Sequence, residues 1–187
     1  MSRKAVFLDR DGVINVEKNF ILSPEQIELI EEVPEAVKLI NESQFLAILF
    51  TNQSAVARNL INIDELAGIH QKLELDLQKF GAYLDAVYVC PHHPGFDISG
   101  GNSEFLIECE CRKPKAGMLF QAANDLNINL NQSFVVGDTD RDIKAGKEAG
   151  CTAIGVRTGK NIETFDITPD YVFDNLQAAI QFILNDS

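Results

Sequence analysis

Positive charge is what this sequence most lacks. Lys and Arg number 16 against 28 Asp and Glu, a formal net charge of -12 at pH 7. Nucleic acids and anionic membrane surfaces are bound through basic patches, so neither is expected as a main partner. An anionic substrate would need positive charge gathered locally, from Lys, Arg or a metal ion. No apolar run approaches the length that spans a bilayer. A signal-peptide core is missing too, because Asp9, Arg10 and Asp11 interrupt the short apolar run after the basic start. A cytoplasmic protein is therefore expected. Cysteine is scarce, and in that compartment its four residues read as metal ligands or core residues rather than disulfides. There is no internal repeat and no low-complexity linker. The 187 residues read as one domain, long enough to bury a core.

What the chain does have is alternation. Short apolar runs at 5–8, 46–50, 86–89, 134–136, 152–156 and 171–173 read as strands. Helical patterns fall between them. One spans 34–43 with Pro34 in the first turn. A second spans 64–80 from an Asp64 N-cap, with apolar Leu66, Ile69, Leu73 and Leu77. Others cover 116–126, 140–149 (ended by Gly150) and 176–184. This order predicts an α/β fold: a doubly wound, mostly parallel sheet with helices on both faces. Ligands in such folds bind beyond the carboxyl ends of the strands. The stretch 90–114 reads as the one long irregular segment, and long loops in compact domains are usually functional or disordered.

Polar residues follow four of the strands. Asp9 and Asp11 follow the first, and Thr51-Asn52-Gln53-Ser54 the second. Arg112-Lys113-Pro114 closes the long loop after the third. Gly137-Asp138-Thr139-Asp140-Arg141-Asp142 follows the fourth. Each set alone is commonplace, as a turn, a cap or a solvated pair. Their joint occurrence at one sheet edge points to a phosphoryl-transfer site.

The four sets resemble, in order, the motifs of the haloacid dehalogenase-type phosphohydrolase superfamily. The resemblance implies Asp9 as a nucleophile that forms an aspartyl-phosphate, because a carboxylate can attack phosphorus once a cation offsets the repulsion between two anions. It implies Asp11 as general acid and then general base. Thr51 and Lys113 would stabilise the transferred phosphoryl group, with Asn52, Gln53, Ser54 and Thr139 lining the substrate site. Mg²⁺ would be held by Asp9, Asp138 and the backbone carbonyl of Asp11, with Asp142 supporting that shell.

Cysteine usage adds a second metal. Cys90 and His92 open the long loop, and Cys109 and Cys111 end it with the same spacing. Two such pairs predict a structural Zn²⁺ site of Cys₃His type, with His93 pointing elsewhere. The bland alternative is buried thiols beside a surface histidine. Cys151, alone in an apolar strand, reads as core.

Within the superfamily, Asp9-Arg10-Asp11-Gly12, Thr51-Asn52-Gln53-Ser54, Cys90-Pro91-His92-His93-Pro94 and Cys109-Glu110-Cys111-Arg112-Lys113-Pro114 resemble the heptose-bisphosphate phosphatase branch. The resemblance runs from about Ala5 to Gly159. It implies an enzyme acting on a small sugar bisphosphate. A monomer is expected, and the stretch between the first two strands leaves no room for a large cap domain. Arg112 would contact substrate, and Glu17, Lys18, Asn19 and Phe20 would border the pocket. Histidinol-phosphate phosphatases are the nearest alternative, with a much shorter stretch between the zinc-ligand pairs. Asn19-Phe20 replaces a Gly-Tyr type pair, and Ala55 and Asn59 stand where Gly is common. Three other classes compete less well: a phospho-receiver domain, a non-catalytic zinc-binding module and a nucleic-acid 3′-phosphatase.

Overall fold

The computed structural model describes residues 2–95, 98–160 and 162–185. Residues 96 and 97, within the expected zinc loop, lie outside the described residues. Six strands form one parallel sheet: β1 (Lys4–Leu8), β2 (Phe45–Asn52), β3 (Ala86–Cys90), β4 (Phe134–Gly137), β5 (Thr152–Val156) and β6 (Tyr171–Phe173). Their spatial order is β3-β2-β1-β4-β5-β6. Five helices connect or follow them: α1 (Val33–Asn41), α2 (Ile63–Gln78), α3 (Gly117–Leu126), α4 (Asp140–Glu148) and α5 (Leu176–Asn185). The expected doubly wound sheet is present.

Both faces of the sheet are covered, so its central strands are apolar without alternation. Val6 and Leu8 of β1, with Phe45, Ala47 and Leu49 of β2, pack under α1, α2 and α5. Ala5 and Phe7, with Leu46, Ile48 and Phe50, face α3 and α4. Phe7 and Phe50 meet edge to face at 6.2 Å. Each such side chain contributes about 2 kcal/mol by leaving water. A polar substitution in β1 would therefore disrupt both layers at once.

The strand order places the site. From β1 the chain winds outward to β2 and β3, then returns to β4 on the other side of β1. The crevice lies where the winding reverses, between the carboxyl ends of β1 and β4. β1 and β4 pair in register, with Leu8 beside Val136, so the residues just beyond them are neighbours.

Three expectations need correction. α2 is capped by Asn62, not Asp64: the Asn62 side chain accepts from Glu65 N, and the Glu65 carboxylate accepts from Asn62 N. β2 runs on to Asn52, so Thr51 and Asn52 sit in the strand end rather than after it. The long loop 91–116 is also not the only long connection. Residues 9–32 join β1 to α1 with only a short 3-10 turn at Pro24–Gln26. That segment is ordered because Val13, Ile14, Ile21 and Ile27 are buried in the core under α1 and α2. Backbone bonds from Val16 N to Glu28 O and from Ile30 N to Ile14 O tie it to itself.

Among the described residues, no helix is long and apolar enough to cross a membrane.

Candidate active site

Asp9 leaves the sheet at the end of β1, where its backbone N–H still bonds Val136 of β4. Its Oδ1 lies 2.8 Å from Lys113 Nζ and accepts from Arg10 N at 2.7 Å. Lys113 is only 3% exposed. Its ammonium also lies 2.6 Å from Asp142 Oδ1 and donates to the Phe50 carbonyl at 3.0 Å. Asn52 fixes its backbone from both sides: Asn52 Nδ2 donates to Lys113 O, and Lys113 N donates to Asn52 Oδ1. One lysine from the long loop thus joins carboxylates from two separate strand ends.

Asp138 follows β4. Its Oδ2 accepts from Lys160 N at 3.0 Å, while its buried Oδ1 has no hydrogen-bond partner. Gly12 allows this approach: at φ +81° a Cβ there would lie 2.5 Å from Asp138 Oδ2. Asp142, fully buried in the first turn of α4, accepts from the Thr139 N–H and hydroxyl. Carboxylate oxygens of Asp9, Asp138 and Asp142 all lie within 4.8 Å of one another.

Three buried carboxylates share one ammonium. Burial, then the neighbouring carboxylates, pushes Asp138 up to about 7. Asp9 rises to about 6, driven first by burial, with Lys113 opposing and Asp142 adding to the rise. Burial alone would depress Lys113, but Asp142 and Asp9 outweigh it and raise its pKa. The centre lacks positive charge, and Asp138 Oδ1 lacks a partner. A hard divalent cation with oxygen ligands, such as Mg²⁺, fits both deficits.

Asp11 faces the same cavity but is held differently. Arg10 Nε and Nη2 donate to its carboxylate, as do Asn15 Nδ2 and Gln53 Nε2. Gln53 also donates to Thr51 Oγ1 at 2.9 Å.

The second cluster lies at the end of β3 and in the long loop that follows it. Sulfur separations are 3.6 Å for Cys90–Cys109 and 3.3 Å for Cys109–Cys111. His92 Nδ1 is 3.3 Å from Cys111 Sγ and 3.8 Å from Cys90 Sγ. Zn–S bonds of about 2.3 Å in a tetrahedron set sulfurs about 3.7 Å apart. The four donors fit Zn²⁺. Burial holds the Cys109 thiol above its ordinary range, and the Cys90 sulfur and then burial do the same to Cys111. Burial and then Arg112 lower His92, keeping it neutral and able to ligate. Cys151 is buried in the core against α3 and α4, in the same apolar layer as Cys90, but is not among the four donors that come together.

A cavity of about 290 Å³ joins most of the expected residues. Asp9, Asp11, Thr51, Lys113, Asp138 and Asp142 form its floor and walls. Glu17, Asn19, Phe20, Asn52, Gln53, Ser54 and Arg112 also line it. Thr139 lines it too, but its hydroxyl is engaged by Asp142. Lys18 does not line it: its ammonium pairs with Glu28 at 2.8 Å and donates to Gln26 O. His93 does line it, beside Arg58, whose Nη2 is 3.4 Å from His93 Nε2.

Sequence reasoning missed Arg58, Arg141 and Lys160, which with Arg112 give the cavity a cationic rim. Arg58 lies after β2 and Arg141 within the run after β4, so the strand-end criterion carried a signal for both. Lys160 lies just beyond β5, so the same signal was there for it. Also missed were Asn15 and His70, which stand behind Asp11 and Arg10.

A family model described as HAD-hydrolase-like matches residues 110–179, which contain Lys113, Asp138 and Asp142. The D-glycero-beta-D-manno-heptose-1,7-bisphosphate 7-phosphatase of Haemophilus ducreyi is 40% identical over 164 residues, 87% of each chain. The D-glycero-D-manno-heptose-1,7-bisphosphate 7-phosphatase of Thermosynechococcus vestitus is 39% identical, covering 98% of this chain and 96% of the relative. Among solved structures, D,D-heptose 1,7-bisphosphate phosphatase from B. bronchiseptica, complexed with magnesium and phosphate, superposes with a TM-score of 0.87. That match is 31% identical and covers 98% of this chain and 99% of the other.

Proposed function

This chain belongs to the HAD-like hydrolases, in the family of these heptose bisphosphate phosphatases, and from that premise we propose that it removes the C7 phosphate of D-glycero-D-manno-heptose 1,7-bisphosphate. The product is a heptose 1-phosphate, the form needed for nucleotide activation of the sugar. One observation carries the reading. The cavity pairs a buried carboxylate–lysine centre, suited to one phosphoryl group, with a rim of Arg58, Arg112, Arg141 and Lys160, suited to a second anionic group. The stretch between His92 and Cys109 favours this substrate over histidinol phosphate.

Asp9 attacks the C7 phosphorus, and the bond from phosphorus to the sugar oxygen breaks. Asp11 gives that oxygen a proton, then takes one from the water that attacks the aspartyl-phosphate. Lys113 and Thr51 hold phosphoryl oxygens as charge builds on them. Asp9, Asp138 and the Asp11 carbonyl are the ligands we assign to Mg²⁺, with Asp142 orienting Lys113. Bound there, the ion supplies the charge neutralisation that lets carboxylate meet phosphate. Cys90, His92, Cys109 and Cys111 would hold Zn²⁺ in a structural role, since four protein ligands leave no open position. Residues 1–187 act as one domain in this reading, a cytoplasmic monomer without nucleic-acid or membrane partners. The net charge of -12, and cysteines that gather as metal ligands rather than in disulfides, support that setting.

The test is Mg²⁺-dependent phosphate release from both anomers of heptose 1,7-bisphosphate, fructose 1,6-bisphosphate and histidinol phosphate. One heptose anomer should exceed the other classes in kcat/KM by about a hundredfold, the scale of a few polar contacts. Preference for histidinol phosphate, or no turnover of any of them, would overturn the assignment.

A further inference from the structure

Arg10 is an unusual residue to find inside the protein. It is 1% exposed, yet it sits between the two aspartates of the β1 terminus. Its Nε and Nη2 face Asp11, at 3.1 Å and 3.0 Å from Oδ1 and 2.9 Å from Oδ2. The planar guanidinium grips both carboxylate oxygens. Its Nη1 turns the other way and lies 3.4 Å from His70 Nε2.

His70 comes from α2, sixty positions along the chain, and is itself 7% exposed. It follows Ile69, on the helix face whose Leu66, Leu73 and Leu77 lock α2 into the core. The imidazole therefore has a fixed place. Burial and then the charge of Arg10 bring its pKa down to about 4, so it is neutral and Nε2 can accept from Nη1. Arg10 is held at one end by a helix that cannot shift, and at the other end it holds Asp11.

We propose that His70 and Arg10 form a positioning relay that fixes the Asp11 carboxyl at the leaving oxygen. Neither touches substrate: among the cavity-lining residues, Asp11 and Gln53 are present and Arg10 and His70 are not. The inference rests on the proposed phosphatase reaction, in which Asp11 protonates the departing sugar oxygen. Asn15 and Gln53 complete the grip, but both sit on loops. Among the described residues, only the His70–Arg10 arm ties Asp11 to a core helix. An acid displaced by about an ångström loses much of its effect.

The readout separates positioning from mere support of the fold. An alkyl phosphate needs its leaving oxygen protonated, whereas p-nitrophenolate leaves without a proton. kcat/KM reports the step in which that oxygen departs. His70→Leu keeps apolar bulk and removes the acceptor. His70→Gln keeps an acceptor near the position of Nε2. Arg10→Lys keeps the charge and removes the fork. For the heptose bisphosphate we expect kcat/KM to fall about tenfold in His70→Leu and about a hundredfold in Arg10→Lys, neither exceeding the 10²–10⁴ that a placed proton donor supplies. For p-nitrophenyl phosphate both should stay within about threefold, and His70→Gln should match the parent on both esters. Equal losses on the two esters, or His70→Gln as impaired as His70→Leu with an unchanged melting temperature, would overturn the relay. Turnover by the parent tests the proposed function, and the variant-to-parent ratios test the relay, so the two fail separately.

Discussion

The oxygen centre and the sulfur cluster are both donor sets fit for a metal, but they are built in opposite ways. Asp9, Lys113, Asp138 and Asp142 come from three distant parts of the chain and meet because β1 and β4 are neighbours and Asn52 at the end of β2 holds the backbone of Lys113. Each carboxylate there also has donors from the protein, including Lys113, Thr139 and the Lys160 N–H. Cys90 ends β3, and His92, Cys109 and Cys111 come from the loop that follows it; their sulfur and nitrogen atoms mostly face one another. The first set is held by the fold and is short of charge. The second has little besides a cation to keep it together. Losing the ion should cost the first its chemistry and the second its structure.

The largest expected effect breaks the oxygen centre without unfolding it. Asp9→Asn keeps the shape and removes the nucleophile. Mg²⁺-dependent phosphate release should fall by about four orders of magnitude. The metal-free melting temperature should not fall, because one of three mutually repelling buried carboxylates is gone. A stable variant with parental turnover would end the covalent mechanism.

Cys111→Ser breaks the other set. Bound zinc, by elemental analysis, should drop from about one per chain, and the melting temperature should fall with it. The loss should reach the oxygen centre through two links. Cys90 O accepts from Gln53 N at 2.7 Å, and Arg112 and Lys113 directly follow Cys111. kcat/KM should decline about ten- to a hundredfold, mostly as a raised KM, since Asp9 is untouched. A fall in kcat alone would mean the cluster acts on the chemistry itself.

Proton competition sharpens the contrast. In the metal-free protein Asp9 titrates at about 6 and Asp138 at about 7. Below those values a cation must displace protons. Magnesium affinity should therefore be full above about pH 7.5 and fall as pH drops through 7 and then 6, by about tenfold per unit for each proton displaced. The thiols of Cys109 and Cys111 stand above their ordinary range, so zinc competes with protons already at neutral pH. Calorimetric magnesium titrations and chelator competition for zinc, between pH 5.5 and 8, read both slopes. A flat magnesium affinity would mean that the carboxylates are not the ligands.

The two sets also differ in how legible they are. The sulfur ligands are readable from spacing alone, because the end of β3 and the loop after it carry them all. The oxygen centre needs the additional inference of parallel strands, which apolar runs support because β1 and β2 are buried on both faces. Two side chains show where such reading stops. Lys18 sits in the segment that borders the cavity, yet it turns toward Glu28, a partner brought close by the fold-back of residues 14–30. Arg58 lies beyond the Thr51–Ser54 run, yet it reaches the rim, with its guanidinium 5.6 Å from the Phe20 ring. The His70–Arg10 contact spans sixty positions and leaves no local pattern.

Cys151 tests whether the sulfur comparison has the right members. It is the fourth cysteine, and a Cys₄ arrangement would need it near the other three. It begins the approach to β5 and is 6% exposed, packed in the apolar layer with Ala145, Ala149 and Val135. Burial alone pushes its thiol up to about 12, so it is an inert thiol with no tendency to ligate or oxidise at neutral pH. Cys151→Ala removes one sulfur from that layer and should lower stability by about 1 kcal/mol, seen as a small drop in melting temperature. Zinc content and turnover should match the parent. Loss of zinc in this variant, with the fold intact, would move a ligand out of the long loop and reduce the cluster to three of its proposed members.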